Sequence, residues 1–191
     1  MMTVLDQVGE IRRCVNDAGY RSKFEPTTGQ WTDFEGWVSL CVALDTLEES
    51  SQALACFELQ GPTAYLSLRY LHLYGMLQAA MLQQWAVARL FHALVGNELP
   101  NKPDSGWNRL RDAYAMAVTD LMSEKDAGSP QPRVSQIVVT EDRFGIIAWD
   151  KGGESLPQHI DLAALLHEYK DEVAAHLNAV LKEMGSARAA R

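Results

Sequence analysis

The chain has 191 residues, of which 47% are hydrophobic and 22% are charged, with 17 Lys and Arg against 25 Asp and Glu. This is the composition of a single well-folded globular domain and not of a disordered chain. The formal net charge of −8 argues against a broad nucleic-acid-binding surface, because phosphate binding depends on clustered lysine and arginine. Only a small basic cleft is compatible with this charge.

The amino-terminal sequence MMTVLDQVGEIRRCV lacks the basic start and the unbroken apolar core of a secretion signal. No apolar run approaches the roughly 18 residues that suggest a membrane span. We therefore expect a soluble, cytoplasmic protein that does not bind membranes. Cys14, Cys41 and Cys56 lie in helical apolar patterns without a CxxC pair, so we expect buried, reduced thiols and no metal or redox role.

The sequence of residues 1–60 predicts N-terminal helices that pack on a larger bundle. A first helix is predicted over 3–24, with apolar side chains on one face: Val4, Val8, Ile11, Val15 and Ala18. Pro26 and Gly29 then break the helical pattern. A second helix is predicted from about Thr32 to Leu59, with Thr32 or Asp33 as its N-cap and an interruption near Glu49–Ser51.

The segment from Ala64 to Val95 is unusual, because Arg69 and Arg89 are its only charged residues. A helix that is apolar nearly all round must be covered on most sides, so we interpret it as the central helix of the bundle. Its glutamines then need partners, across the bundle or across a subunit interface: Gln78, Gln83 and Gln84. His72 and His92 lie about 30 Å apart along this helix, and we expect each to be buried and hydrogen-bonded separately.

After a loop at 96–106, a fourth helix is predicted from about Trp107 to Ser123. The runs RVSQIVVT and FGIIAWD, joined by EDR, predict a β-hairpin at about 133–150. A last helix is predicted from about Asp161 to Glu183 with an apolar stripe, and 187–191 is predicted to be a frayed tail. The stripe consists of Leu162, Leu165, Leu166, Tyr169, Val173, Leu177 and Val180. The predicted fold class is mainly α, an up-and-down bundle of about five helices with a β-hairpin inserted before the last helix.

Two stretches carry a resemblance to a known family. They are YLHLYGMLQAAMLQQWAVARLFHAL at 70–94, with its tyrosine, glycine and paired glutamines, and the arginine-led helix RLRDAYAMAV at 109–118. Followed by the hairpin and the closing helix, they resemble a bacterial subgroup of the HEPN superfamily (higher eukaryotes and prokaryotes nucleotide-binding). The resemblance covers roughly residues 60–185. It implies a HEPN-like helical core at 61–186 and a homodimer in which two copies of the arginine-led helix meet.

Active members of that superfamily carry an arginine, a polar residue after it, and a histidine five to seven positions after the arginine. Metal-free RNA cleavage needs a group that moves a proton near neutral pH and a fixed cation on the phosphate. Arg111 matches the arginine and Asp112 the polar residue, but the histidine window holds Met116, Ala117 and Val118. Counted from Arg109, the window holds Tyr114, Ala115 and Met116, and an unperturbed tyrosine, with a pKa of about 10, is a poor base at neutral pH. The resemblance therefore implies a degenerate ribonuclease motif with no catalytic residue.

Two interpretations of the arginine-led helix remain open. Its polar residues form either a solvated or ion-paired helix face, or a retained site that binds an anionic ligand or RNA in a dimer groove: Arg109, Arg111, Asp112 and Tyr114. We favour a dimeric binding or regulatory module related to RNA or nucleotides, without cofactor or metal, and we lean against an enzyme. A homodimer also follows from the apolar helix at 64–95, since leftover apolar surface usually marks an interface.

Two alternative functions are kept. The first is an active ribonuclease or a metal-dependent hydrolase with displaced catalytic residues, for which HEYKDEVAAH at 167–176 is the candidate. This stretch lacks the Glu-x-x-His spacing of metal sites in helical bundles, which favours a solvated charged face. The second alternative is a purely structural partner protein.

Overall fold

The computed structural model describes residues 2–17, 34–60, 65–100, 102–119, 133–139, 144–150 and 158–189. Its described helices are α1 (Val4–Asn16), α2 (Phe34–Gln60), α3 (Leu66–Val95), α4 (Gly106–Tyr114) and α5 (Leu162–Ala189), with a π-helical turn at Ala115–Thr119. The strands are β1 (Arg133–Val139), β2 (Phe144–Asp150) and β3 (Gln158–Asp161). The predicted fold class, a mainly α bundle with a hairpin before the last helix, is confirmed. In the part of the chain described, no helix is long and apolar enough to cross a membrane.

Contacts divide the chain into two compact units, each assembled from separate stretches. Unit 1 comprises Met1–Ala53, Leu82–Pro100 and Lys170–Arg191, and unit 2 comprises Leu54–Met81 and Asn101–Tyr169. Helices α2, α3 and α5 each contribute residues to both units. The division into 1–60 and 61–186, which follows chain order, stays a prediction.

Helix α1 is shorter than predicted. It begins with a capping box, in which the Thr3 hydroxyl accepts the backbone N–H of Asp6 and the Asp6 carboxylate accepts the backbone N–H of Thr3. The Thr3 hydroxyl also donates to the Asp6 carboxylate at 2.7 Å, and this bond, together with the one from the Thr3 backbone N–H, lowers the pKa of Asp6. At the other end Asp17 leaves the helical region with φ −61° and ψ 131°, and its N–H donates to the Cys14 carbonyl. The prediction of a helix through residue 24 is therefore wrong at Asp17, and residues 18–33 lie outside the described part.

Helix α2 is continuous through Glu49–Ser51, where an interruption was predicted. The hydroxyls of Ser50 and Ser51 both donate to the Leu47 carbonyl, at 3.2 and 2.6 Å. Serine side chains that bond back to the preceding turn stay within the helix and do not compete with it. The predicted N-caps, Thr32 and Asp33, lie outside the described residues.

The core of unit 1 is apolar with a few buried polar links. Its buried apolar side chains include Val8, Ile11, Val15, Leu40, Leu44, Leu47, Val87, Leu90, Val173, Leu177 and Val180. The Nε2 of Gln7 donates to the Ala174 carbonyl at 3.1 Å, and that of Gln83 donates to the Ser51 hydroxyl at 2.8 Å. The amide nitrogen of Gln83 thus finds its partner within one chain.

The core of unit 2 joins helices to a three-stranded antiparallel sheet in the order β1-β2-β3. Ile146, in the middle strand, is fully buried and lies in register with Ile137 and Ile160. Strand β3 was not predicted, because four residues are too few to show an alternating pattern. The Asp161 carboxylate then accepts the backbone N–H groups of Ala163 and Ala164, which starts α5 as an N-cap does.

Helix α5 confirms the predicted apolar stripe and extends beyond the predicted end. All seven stripe residues, from Leu162 to Val180, are buried. The helix continues to Ala189, past Glu183 and into the segment predicted as a frayed tail.

Helix α3 is less covered than a central helix should be. Within unit 2, Leu71 is 64% exposed and Tyr74 37%, and within unit 1, Leu82 is 44% exposed and Trp85 43%. The expectation of buried histidines is wrong for His92, which is exposed, and His72 is half-buried. The prediction of a buried thiol holds for Cys14, but Cys41 is half-buried and Cys56 is exposed. Periodicity locates an apolar position on a helix, but packing decides which faces meet a neighbour.

Candidate functional site

The candidate site is helix α4 of unit 2, and its start is firmly held. Ser105 is the N-cap, and its hydroxyl accepts the backbone N–H of Asn108 at 3.3 Å. The buried Asn108 amide in turn donates to the Lys102 carbonyl at 2.8 Å. At Gly106 the helix approaches α5 so closely that a Cβ would lie 2.9 Å from the backbone nitrogen of Tyr169. Glycine therefore permits this contact between α4 and α5.

Aromatic packing supports the same arrangement. The rings of Trp107 and Tyr169 lie 5.8 Å apart, and the Tyr169 hydroxyl donates to the Ala80 carbonyl of α3 at 3.2 Å. Tyr169 is fully buried, and this burial raises its pKa well above the usual range. Tyr169 is thus a neutral hydrogen-bond donor that ties α5 to α3 within unit 2, beside the helix that carries the site.

Arg109 forms an ion pair with Glu168 of α5, with 2.6 Å between the guanidinium nitrogen and the carboxylate oxygen. Both side chains are about half exposed, at 50% and 49%. Such a pair contributes less than about 1 kcal/mol, because water screens it. Of the two interpretations left open by the sequence, Arg109 therefore fits the ion-paired helix face.

Arg111 lies on a different side of the helix. Residues two apart on an α-helix are separated by about 200°, so the guanidinium groups of Arg109 and Arg111 leave α4 in nearly opposite directions. Asp112 is three residues from Arg109 and shares its side. The four predicted site residues therefore do not converge, and one groove cannot face both arginines of the same helix.

Arg111 is exposed, and Tyr114, three residues on, shares its side of α4. The Tyr114 hydroxyl donates to the Oε1 of Gln78 on α3 at 2.9 Å. Because this bond occupies the amide oxygen, the Gln78 amide nitrogen is the group left to meet a ligand. We call Arg111, Tyr114 and Gln78 the Arg111 face.

The Arg111 face offers hydrogen-bond donors and one positive charge. In the part of the chain that the structure describes, Arg111 forms no ion pair, unlike Arg109 and Arg12. A guanidinium group presents a planar fork of N–H donors that matches carboxylate and phosphate oxygens. An exposed guanidinium group without an ion pair is therefore suited to bind an anion. Sequence reasoning flagged Gln78 as a polar residue in an apolar helix but could not pair it with Tyr114, which lies 36 residues away.

The histidine window of the resemblance falls in the π-helical turn that follows α4. The turn begins at Ala115, whose N–H is shared between the carbonyls of Arg111 and Asp112. Met116 and Ala117 are 6% and 1% exposed, and the turn contacts β1. The fourth helix was predicted to run as an α-helix to Ser123, which is wrong from Ala115, and residues 120–132 lie outside the described part. Any side chain at 116 or 117 points into the interior and away from the Arg111 face.

The charged stretch of α5 does not assemble a metal site. His167, Glu168 and Asp171 are exposed, and Glu168 is already paired with Arg109. In the described ranges, no group of three His, Cys, Asp or Glu side chains is placed to hold a metal ion. Burial lowers the pKa of His176, whose ring packs edge-on against Phe91 at 6.2 Å.

The sequence matches no family model and no curated protein, and the structure matches no solved structure.

Proposed function

We propose that the protein is a catalytically inactive, HEPN-like dimeric module that binds an anionic ligand, of the phosphate-bearing nucleotide or RNA class, at the Arg111 face. The observation that carries this proposal is the exposed side chain of Arg111, which has no ion pair in the described part of the chain and shares its side of α4 with Tyr114, whose hydroxyl is bonded to Gln78. Arginine and a neutral amide donor bind a phosphate through charge-assisted hydrogen bonds.

The absence of catalysis follows from the residues around Arg111. Proton transfer at neutral pH needs a group with a pKa near 7, usually histidine. Met116 and Ala117 cannot supply a proton, and their burial keeps them away from any ligand on the surface of α4. A cation without a proton shuttle can hold a phosphate but cannot cleave the chain. Binding and regulation are the functions that this arrangement supports best.

The homodimer is part of the proposal. Leu71 and Tyr74 are exposed on α3 of unit 2, and Gln78 follows them at helical spacing on the same side. Exposed apolar side chains next to a polar site are typical of an interface that also binds a ligand. Since a two-fold axis repeats every patch, a second copy doubles the number of Arg111 faces. A doubled site gives an acidic protein a local positive potential.

The test is a binding titration with matched arginine variants. A fluorescent single-stranded oligoribonucleotide and a nucleoside triphosphate serve as probes, read by anisotropy and calorimetry. We expect Arg111→Ala to weaken binding at least about tenfold and to lower the salt slope for RNA by about one. Arg109→Ala is the control, because Arg109 lies on the same helix but is paired with Glu168. Equal loss in both variants, or no binding by the wild type, contradicts the proposal.

A second assay addresses catalysis directly. We expect no cleavage of single-stranded or structured RNA in metal-free buffer. Turnover that Arg111→Ala abolishes would show that the protein is an enzyme and that its proton shuttle lies elsewhere. Added Mn²⁺ or Zn²⁺ that starts cleavage, with loss of activity in a His167→Ala variant, would support the metal-dependent alternative instead.

A further inference from the structure

An open apolar groove lies between α2 and α3 in unit 1. Its lining includes Phe34, Val38 and Val42 on α2 and Trp85 on α3, and its volume is about 400 Å³. These four side chains are 55%, 41%, 46% and 43% exposed. Single exposed apolar residues are ordinary on a protein surface, but four that line one groove form a contiguous patch. Such a patch marks an interaction surface.

The same groove carries one charge of each sign. Glu35 and Arg89 both line it. The Arg89 guanidinium lies 5.3 Å from the centre of the Trp85 ring, within the range of a cation–π interaction. Within the described residues, neither Glu35 nor Arg89 forms an ion pair. The groove therefore presents an apolar surface with one acidic and one basic side chain, and neither of these charges is paired within the described residues.

We infer that the exposed side chains of this groove pack against the same side chains of a second copy of the chain, so that the groove is a contact surface of the homodimer. This inference rests on the homodimer proposed above. A two-fold interface pairs a patch with itself, so the charges of the patch must complement one another across the axis. A groove with both signs meets this condition, because Glu35 of each copy faces Arg89 of the other. A groove built for a partner of one charge would carry the opposite charge alone.

The residue types agree with this assignment. Tryptophan and arginine are the residues that most often carry the binding energy of protein interfaces, above all where they are desolvated near the centre. Trp85 and Arg89 are four residues apart on α3 and already stack. A second copy covers the ring and pairs the cation. The valines of α2 then supply the surrounding surface that excludes water.

Charge reversal gives a test that a merely unstable variant cannot mimic. The E35R protein has only positive charges in its groove, and the R89E protein has only negative ones. Like charges that face each other across the two-fold axis repel and oppose association. Each variant alone should therefore dimerise at least about a hundredfold more weakly than the wild type. Mixed in equal amounts, the two variants should form a heterodimer, because every facing pair is then of opposite sign.

The measurement is sedimentation velocity over low to high micromolar concentrations, with circular dichroism to check folding. The double variant E35R/R89E should dimerise like the wild type. E183R is the matched control, since Glu183 is an exposed acid of unit 1 on α5 that does not line the groove. It changes the net charge by the same amount as E35R and should leave dimerisation unchanged.

The outcomes separate this inference from the proposal beneath it. A wild type that stays monomeric overturns both the homodimer and the groove assignment. A wild-type dimer that E35R and R89E leave intact overturns the groove assignment alone, and the homodimer then uses another surface. Single variants that dissociate but fail to combine when mixed overturn the two-fold pairing of Glu35 with Arg89. Anion binding at Arg111 is measured separately and is unaffected by these results.

Discussion

Replacement of Gly106 by alanine tests how closely α4 must approach α5. An added Cβ would lie 2.9 Å from the backbone nitrogen of Tyr169 and 3.0 Å from the carbonyl carbon of Glu168, whereas ordinary contacts begin at 3.4 Å. The atoms it meets include helix backbone, which cannot rotate away, so α4 must shift or tilt. Overpacking of this kind costs about 1–3 kcal/mol, and the higher helix propensity of alanine returns at most about 1 kcal/mol. We expect a net loss of about 1–2 kcal/mol.

The measurement is urea unfolding together with thermal melting of wild type and variant. A loss of this size lowers the melting temperature by roughly 2–8 °C for a chain of this length. Gly9→Ala in α1 is the matched control, because a Cβ at Gly9 meets nothing within 4 Å. That variant should gain up to about 1 kcal/mol from helix propensity alone. A Gly106→Ala protein as stable as the wild type would refute the close approach of α4 and α5.

Three further predictions concern single side chains. Burial lowers the pKa of His176 from its ordinary value of about 6.5, so just below that pH the unfolded chain binds more protons than the folded one. The free energy of unfolding should therefore fall as the pH drops from 6.5 towards the lowered pKa. In urea unfolding at several pH values, His176→Gln should flatten this part of the pH dependence, and an unchanged pH dependence contradicts the prediction. Tyr169→Phe should cost about 1 kcal/mol, since it removes a buried hydrogen bond to the Ala80 carbonyl, and a more stable variant would show that the bond contributes nothing. Arg109→Ala should cost less than about 1 kcal/mol, with the loss shrinking at high salt, because the ion pair with Glu168 is half exposed; a loss that salt does not change would argue against an ion-pair origin.

Much of the fold is written in local patterns of the sequence. The apolar stripe from Leu162 to Val180 repeats at helical spacing, and all of its members are buried. The runs at 133–139 and 144–150 are rich in β-branched and aromatic residues, as strands are, and they pair in one antiparallel register. Both patterns depend only on neighbours within a few residues, which is why a single sequence contains them.

The ends of helices, the π-helical turn and the short strand β3 were harder to predict, because they depend on particular hydrogen bonds. Nothing in the composition of AMAVT indicates a π-helical turn, in which each N–H bonds to the carbonyl five residues before it. The serines at 50 and 51 resemble a helix break in sequence, yet their hydroxyls bond back to Leu47 and keep α2 continuous. Strand β3 forms against β2 and has too few residues to be recognised alone.

For the candidate site, the sequence by itself determined which groups are available. It gave two arginines, an aspartate and a tyrosine on one helix, an acidic chain around them, and no histidine in the window at 116–118. It also placed Arg109 and Arg111 two residues apart, which already directs them to opposite sides of any α-helix. These are properties of composition and spacing, and no packing changes them.

Only the tertiary structure decided which partners these groups meet. Glu168 pairs with Arg109 across 59 residues of chain, and the Gln78 amide oxygen accepts a hydrogen bond from the Tyr114 hydroxyl across 36. Of the two arginines on α4, Arg111 is the one without an ion pair in the described residues. The same packing buries Met116 and Ala117 and leaves Trp85 exposed on a helix that is apolar nearly all round. Pairing and burial depend on distances between segments far apart in sequence, and local periodicity carries no information about those distances.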